Sequence, residues 1–158
     1  MKGWDSEIVD IDALRIEHCT GCDRCKGRDC VINDDMRVIV DRFLDSDVVV
    51  FATPIRFSGP SSLVKTVIDR FQVIWNNRSL TEGKRRYMTF IASSGTDIPN
   101  MAPAKSIIRS LCLAVGAEWI DQHLFTGTDN STQGLEEDAS SFAAEIMDIV
   151  NSAPSALI

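Results

Sequence analysis

Short apolar runs alternate along this chain with stretches in which apolar residues return every three or four positions. Ile8, Val9 and Ile11 make Glu7–Ile11 a short strand candidate. From Asp34 to Leu44, the residues Met36, Ile39, Val40 and Phe43 fall at i, i+3, i+4 and i+7, one face of a helix. Asp34 and Asp35 stand where an N-cap and a first-turn acid are favoured. Asp47–Thr53 is β-branched and apolar without alternation, as expected of a strand buried on both faces. It leads into Thr53–Pro60, a loop rich in Pro, Ser and Gly. A helix follows from about Ser61 to Trp75, with Val64, Val67, Ile68, Phe71 and Trp75 along one face. Arg86–Ala92 is a further hydrophobic strand, and Ser93–Asp97 the polar loop after it. Met101–Val115 is helical and stops at Gly116, a favoured residue just beyond a helix end. Glu118–Phe125 reads as the last strand and Leu135–Val150 as the last helix.

Strands alternating with helices in this way predict an α/β fold, an open parallel sheet with helices on both faces. Ligands of such sheets bind in the crevice at the carboxyl ends of the strands. The 53–60 and 93–97 loops occupy those ends. No internal repeat, low-complexity stretch or interior linker interrupts the pattern, so residues 1–151 read as one domain and 152–158 as a loose tail.

Four of the five cysteines fall within twelve residues, in the run Cys19-Thr-Gly-Cys22-Asp-Arg-Cys25-Lys-Gly-Arg-Asp-Cys30. Thiolates are soft ligands that select iron–sulfur clusters, zinc or Cu(I). Gly21 and Gly27 allow the tight reversals that turn several sulfurs toward one point. Arg24, Lys26 and Arg28 favour the thiolate form. A 4Fe–4S cluster held by Cys19, Cys22, Cys25 and Cys30 suits the close spacing. Zinc remains open, although common zinc sites separate two ligand pairs by a dozen or more residues. A disulfide pair with two free thiols is the third alternative.

Other polar and sulfur residues have plainer readings. Cys112 lies in an apolar helix and reads as core. His18, beside Cys19, reads as a half-exposed loop residue or as a hydrogen-bond donor to a cluster sulfur. His123 alternates with apolar residues and reads as structural. Asp69 and Arg70 read as a charged pair holding their helix to a neighbour, and Lys84, Arg85 and Arg86 as a solvated strand entrance.

Composition narrows the function classes. The chain has 158 residues, 25% of them charged and 44% hydrophobic, the profile of a globular domain able to bury a core. Its formal net charge of −7 argues against nucleic acid as a partner. No apolar run approaches the roughly 18–20 residues of a membrane span. The start Met-Lys-Gly-Trp-Asp lacks the apolar core of a signal peptide, so a cytoplasmic location is expected.

The series His-Cys-Thr-Gly-Cys-Asp-Arg-Cys-Lys-Gly-Arg-Asp-Cys-Val-Ile-Asn-Asp-Asp-Met over 18–36, followed by Asp47–Phe71, resembles the iron–sulfur flavoproteins of the NAD(P)H-dependent FMN reductase group. The resemblance lies in the Cys cluster, the Asp-Asp-Met start of a helix, the Thr-Pro loop, and the spacing Ser61, Lys65, Asp69, Arg70. It covers about residues 6 to 75 strongly and the remainder as a strand–helix rhythm. It implies a flavodoxin-like fold and FMN beside a 4Fe–4S cluster. By the same resemblance Thr53, Pro54, Ile55, Arg56, Phe57 and Ser58 contact flavin. The alternative is a tight connection in which Phe57 plugs the core. Ser93, Ser94, Gly95 and Thr96 offer small side chains and free N–H groups to the same crevice.

Two departures qualify the resemblance. The family's first strand, Ser/Gly-rich phosphate-binding loop and first helix find no counterpart, and Gly3–Leu14 looks like its second strand. Arg56 replaces the usual aromatic residue. An Arg can stack on a flavin ring or hold a phosphate, but it cannot replace a whole cradle of backbone N–H groups. The missing unit is encoded upstream, or supplied by a partner chain or a dimer mate, or FMN has been lost and the cluster kept. The implied function is electron transfer from a ferredoxin-like carrier or NAD(P)H, through cluster and FMN, to a small acceptor, in a homo-oligomer. A flavin-free iron–sulfur electron-transfer subunit or sensor and a zinc-stabilised interaction module are the alternatives.

Overall fold

The computed structural model describes residues 4–153. Three parallel strands form the centre of the molecule: β1 (Val48–Arg56), β3 (Tyr87–Ser93) and β4 (Glu118–Phe125). The two-residue β2 (Gly59–Pro60) turns back antiparallel on β1, giving the order β2-β1-β3-β4. Helices α1 (Met36–Asp45), α2 (Ser62–Arg70), α3 (Gln72–Trp75), α4 (Ala102–Ala114) and α5 (Leu135–Ser152) surround it. This is the α/β architecture expected of the strand–helix alternation, a mostly parallel flavodoxin-like sheet.

The most deeply buried strand is β3, flanked by parallel partners on both edges. Met88 and Phe90 lie fully inside it with Ile74, Phe71, Ile108, Val115 and Cys112. Thr89 is equally buried, and its hydroxyl donates to Asp121 O at 2.6 Å, where β4 carries one extra residue. That bulge satisfies the hydroxyl and shifts the register of β4. Before it, Trp119 lies under Arg109 of α4; after it, His123 meets Phe142 of α5 and donates through Nε2 to Asp138 Oδ2 at 2.8 Å. His123 is therefore structural, as its alternation implied.

Several expectations need correction. Glu7–Ile11 is not a strand. It is extended coil leading into a short 3₁₀ turn at Ile11–Ala13, with Ile8 94% exposed. Asp10 accepts from Asp12 N at 3.0 Å, diverting the backbone into a turn where no strand edge receives it. Nor is β1 buried on both faces: Val50 is 45% exposed and Ala52 is exposed too. Among the described residues, β1 is flanked by β3 on one edge and on the other only by β2 at Ile55 and Arg56. The Thr53–Pro60 loop is in fact a hairpin. Phe57 and Ser58 form its tip with φ of 48° and 65°, the pair of positive angles a tight two-residue turn requires. Phe57 does not plug the core; its ring is fully exposed.

The helix expected over Ser61–Trp75 breaks at Phe71. Its N–H is shared between Val67 O and Ile68 O, at 3.1 and 3.2 Å. The break places Val73 and Ile74 inside and leaves Trp75 outside, beneath the Arg78 guanidinium at 4.0 Å. Residues 84–86 are not simply a solvated entrance. Arg86 is buried over Phe43, and it donates to Phe43 O at 3.2 Å and Leu44 O at 2.6 Å. Lys84 donates to Asp45 O. Two cations thus satisfy the last carbonyls of α1 and oppose its negative end. Arg85 pairs with Glu118 through two hydrogen bonds of 2.6 and 2.8 Å. The last helix runs to Ser152, and of the expected tail residues 154–158 lie outside the described residues.

Candidate functional site

Cys19, Cys22, Cys25 and Cys30 line a single small cavity, together with Thr20, Ile32, Arg70 and Val73. Left-handed backbone at Gly21, Asp23 and Gly27 produces the reversals that fold this loop on itself. Asp23 and Lys26 pair across the turn at 3.1 Å, and Arg28 Nε donates to Arg24 O at 2.8 Å. Cys22 is exposed, Cys25 buried, and Cys19 and Cys30 lie between. The sulfurs ring the cavity without converging: among the described residues, no three Cys, His, Asp or Glu side chains form a ready metal centre. All five thiols are free.

The loop is held by the α2–α3 segment. Asn77 Nδ2 reaches Cys25 O and Val73 O at 2.7 Å each and Arg28 O at 3.2 Å. Asn76 Nδ2 donates to Cys25 Sγ at 3.2 Å, and Arg70 Nη2 approaches Cys30 Sγ at 3.7 Å. Arg70 does not pair with Asp69, which instead binds Lys65 at the surface. Its partner is Asp34, at 2.5 and 2.9 Å, with both side chains buried. Asp34 also accepts from Glu17 N at 2.8 Å and Met36 N at 3.2 Å. Burial alone would raise the Asp34 carboxyl, but the hydrogen bonds from Arg70, Glu17 N and Met36 N outweigh it and hold it below the usual carboxylate range. The acid read as part of a helix cap thus anchors the cysteine pocket. Asp35 instead accepts from Arg15 N at 2.8 Å.

Hydrogen bonding favours thiolate at one position in particular. The Arg24 backbone N–H, then its side chain and Thr20, bring the Cys22 thiol down to about 7. Burial pushes Cys112 up to about 11, and its thiol donates to Ala117 O at 3.1 Å, a core role. His18 is an exposed loop residue.

The donor set suits a thiolate-held iron–sulfur group. Four thiols surround one space, and N–H donors of Asn76 and Arg70 already point at two of the sulfurs. Such bonds orient ligands and tune their electronics.

A second, open crevice of about 290 Å³ lies at the carboxyl ends of β1 and β3, lined by Ala52, Thr53, Pro54, Ile91, Ala92, Ser93 and Phe125. Of the expected flavin contacts, Thr53, Pro54 and Ser93 meet here. Thr53 Oγ1 accepts from Ser61 N at 2.9 Å and donates to Pro54 O at 3.1 Å. Ile55 and Arg56 pair with Pro60 and Gly59, and the tip residue Ser58 accepts from Ala104 N at 3.0 Å. Ser94 and Thr96 do not offer free N–H groups. Ser94 N donates to Phe125 O at 2.8 Å and Thr96 N to Ser94 Oγ at 3.3 Å. Gly95 is pressed against the Asp129 carboxylate, and a Cβ there would overlap it. The apolar walls suit the edge of a planar ring. Among the described residues that line the crevice there is no glycine.

The sequence pointed to the cysteines and to the strand-end loops, but not to Asp34, Arg70, Asn76 and Asn77 as braces of the cysteine loop. A run of two amides straight after an apolar helix was the available signal.

The profile of the NADPH-dependent FMN reductase family matches residues 1–130, and the chain belongs to that family. Among curated proteins, an iron-sulfur flavoprotein of Archaeoglobus fulgidus is 34% identical over 68 residues, 43% of this chain and 34% of that protein. An iron-sulfur flavoprotein of Methanocaldococcus jannaschii is 24% identical over 146 residues, 87% of this chain and 74% of that one. The matches to the first relatives span only about a third of those proteins' lengths. Among solved structures, a flavone reductase shares the fold with a TM-score of 0.64 at 23% identity, over 94% of this chain and 54% of that one. Among the described residues no helix is long and apolar enough to cross a membrane.

Proposed function

We propose that this chain works as an electron-transferring flavin oxidoreductase of the iron–sulfur flavoprotein kind, with a 4Fe–4S cluster held by Cys19, Cys22, Cys25 and Cys30. The observation that carries this reading is the single cavity ringed by all four cysteines and furnished with N–H donors to sulfur. A bound cluster would supply one-electron transfer. The chain's own residues place the thiols, offer hydrogen bonds to two of them and limit access of water to the buried Cys25. Family membership supports FMN as the second cofactor. The crevice walls at Thr53, Pro54, Ser93 and Phe125 would border its ring, with Arg56 and the exposed Phe57 on the adjoining hairpin and Ser94, Gly95 and Thr96 backing it. The phosphate cradle then comes from outside the described residues, whether another part of the polypeptide, a second copy or a partner chain. A ferredoxin-like carrier or NAD(P)H is the donor in this reading, a small molecule the acceptor, and the cytoplasm the location.

The test is an absorption spectrum of protein purified without air, with iron, sulfide, zinc and flavin analysis. The expected result is a broad brown shoulder with about four iron and four sulfide per chain. Flavin bands added to it support the complete reading; their absence leaves an iron–sulfur electron carrier. A colourless protein holding zinc overturns the redox reading in favour of a zinc-stabilised module.

A further inference from the structure

Arg70 is only 2% exposed, yet it sits beside the cysteine cavity and not in the apolar core. Its Nη1 donates to Glu17 O at 2.6 Å and to Asp34 Oδ2 at 2.5 Å, and its Nη2 to Asp34 Oδ1 at 2.9 Å. These bonds fix the plane of the guanidinium. Nη2 then faces Cys30 Sγ at 3.7 Å, at the long end of a bond to sulfur. Nε is buried and has no partner at all. A buried donor left without an acceptor is costly, commonly about 1–3 kcal/mol. An orphan at the wall of a cavity lined by four thiols points to an acceptor that the cavity receives.

Salt-bridging to Asp34 does not remove the asymmetry. The carboxylate lies on the side of Glu17 and Met36, bonded to their N–H groups, while the cation faces sulfur. In a site of low local dielectric such an oriented pair favours negative charge on the cavity side. A four-thiolate cluster bound here would gain one unit of negative charge on one-electron reduction. The reduced form is the state most sensitive to this field.

We infer that Arg70 is the positioning residue of the cysteine cavity: its guanidinium, locked by Asp34 and Glu17, donates to the sulfur of the bound group and stabilises its reduced form. Asp34 acts through Arg70, and neither touches a substrate. This inference rests on the reading of the cavity as an iron–sulfur site.

The experiment compares the wild type with Arg70→Lys and the double variant Asp34→Asn/Arg70→Gln. The double variant removes both charges together, so no buried ion is left unpaired. Arg70→Lys keeps the charge and loses the fork, and serves if the double variant does not fold. Each protein is reconstituted anaerobically with iron and sulfide and titrated with dithionite, the reduced state being read by electron paramagnetic resonance. The expected order of midpoint potential is wild type, then Arg70→Lys, then the double variant. A tenfold loss of preference for the reduced state appears as a downward shift of about 59 mV. Equal potentials in folded variants overturn the inference, because a merely structural role would lower stability and leave the potential unmoved.

Cobalt(II) titration, read by the sulfur-to-cobalt charge-transfer band, separates the two readings. If the wild type takes up cobalt but no iron–sulfide, the cluster reading fails. Weaker cobalt affinity in the variants then supports Arg70 as the residue that stabilises a thiolate-bound group, and equal affinity overturns that role. If the wild type binds neither, both readings fall.

Discussion

At the scale of single residues, the groups that matter around the cysteines are those whose ionisation the fold has committed. The Asp34–Arg70 pair is buried, so removing one member leaves the other uncompensated. Asp34→Ala is expected to destabilise the protein by about 3–5 kcal/mol in denaturant unfolding. Its pH signature follows from the lowered carboxyl. The unfolded chain takes up the proton first, near pH 4, while the folded protein resists it. The contribution of Asp34 is therefore complete above about pH 4 and is lost as pH falls through the folded value. In Asp34→Asn the same range should show a flatter stability profile. The thiols divide equally clearly. In metal-free protein, Cys22 should be the first to react with iodoacetamide, with a rate rising through about pH 7, whereas buried Cys112 should react only on unfolding. Peptide mass spectrometry resolves the two.

At the scale of elements, the short connections carry more of the site than the strands do. Asn77 joins the carbonyls of Val73, Cys25 and Arg28. Asn77→Ala should cost about 2 kcal/mol, at roughly 1 kcal/mol for each short hydrogen bond lost. It should also speed proteolysis at the basic residues 24–28 more than anywhere in the sheet. The crevice loop offers a parallel test. Gly95→Ala should displace the exposed Asp129 side chain and destabilise by less than about 1 kcal/mol. The second change Asp129→Ala should recover most of that loss, a coupling that a double-mutant cycle measures. Such details explain what was legible beforehand. Periodicity located α1, α4, β3, β4 and α5 within a residue or two, because each buries one face or one whole strand. It failed at Glu7–Ile11, whose apolar positions Ile8, Val9 and Ile11 describe what the segment could bury, while strand formation requires an edge to pair with. It failed again at Trp75, because the one-residue break at Phe71 rotates the helix and no local signal marks it. The cysteines announced themselves by spacing, whereas Arg70 and Asn77 acquire their roles from contacts 36 to 53 residues away in sequence.

At the scale of the whole molecule, stability is distributed from β3 outward. β3 is hydrogen-bonded on both sides and its side chains are nearly all buried, while among the described residues β1 is paired along its length on one side only. Native-state hydrogen exchange should find the slowest amides in β3. Along β1 the pattern should alternate, slow where the N–H faces β3 and fast where it faces away. Uniform protection along β1 would contradict this ordering and mean that its second edge is covered in solution. Asn77 carries a different consequence, one of time. Amide side chains are among the heat-labile groups of proteins. Hydrolysis of this one would exchange an NH₂ group for a negatively charged oxygen facing carbonyls that had been its acceptors. The cysteine loop and the end of α3 would then repel the very atom that had joined them. No enzyme would be needed, and refolding could not reverse it. The age of the molecule would be written at a side chain that braces its cysteine loop.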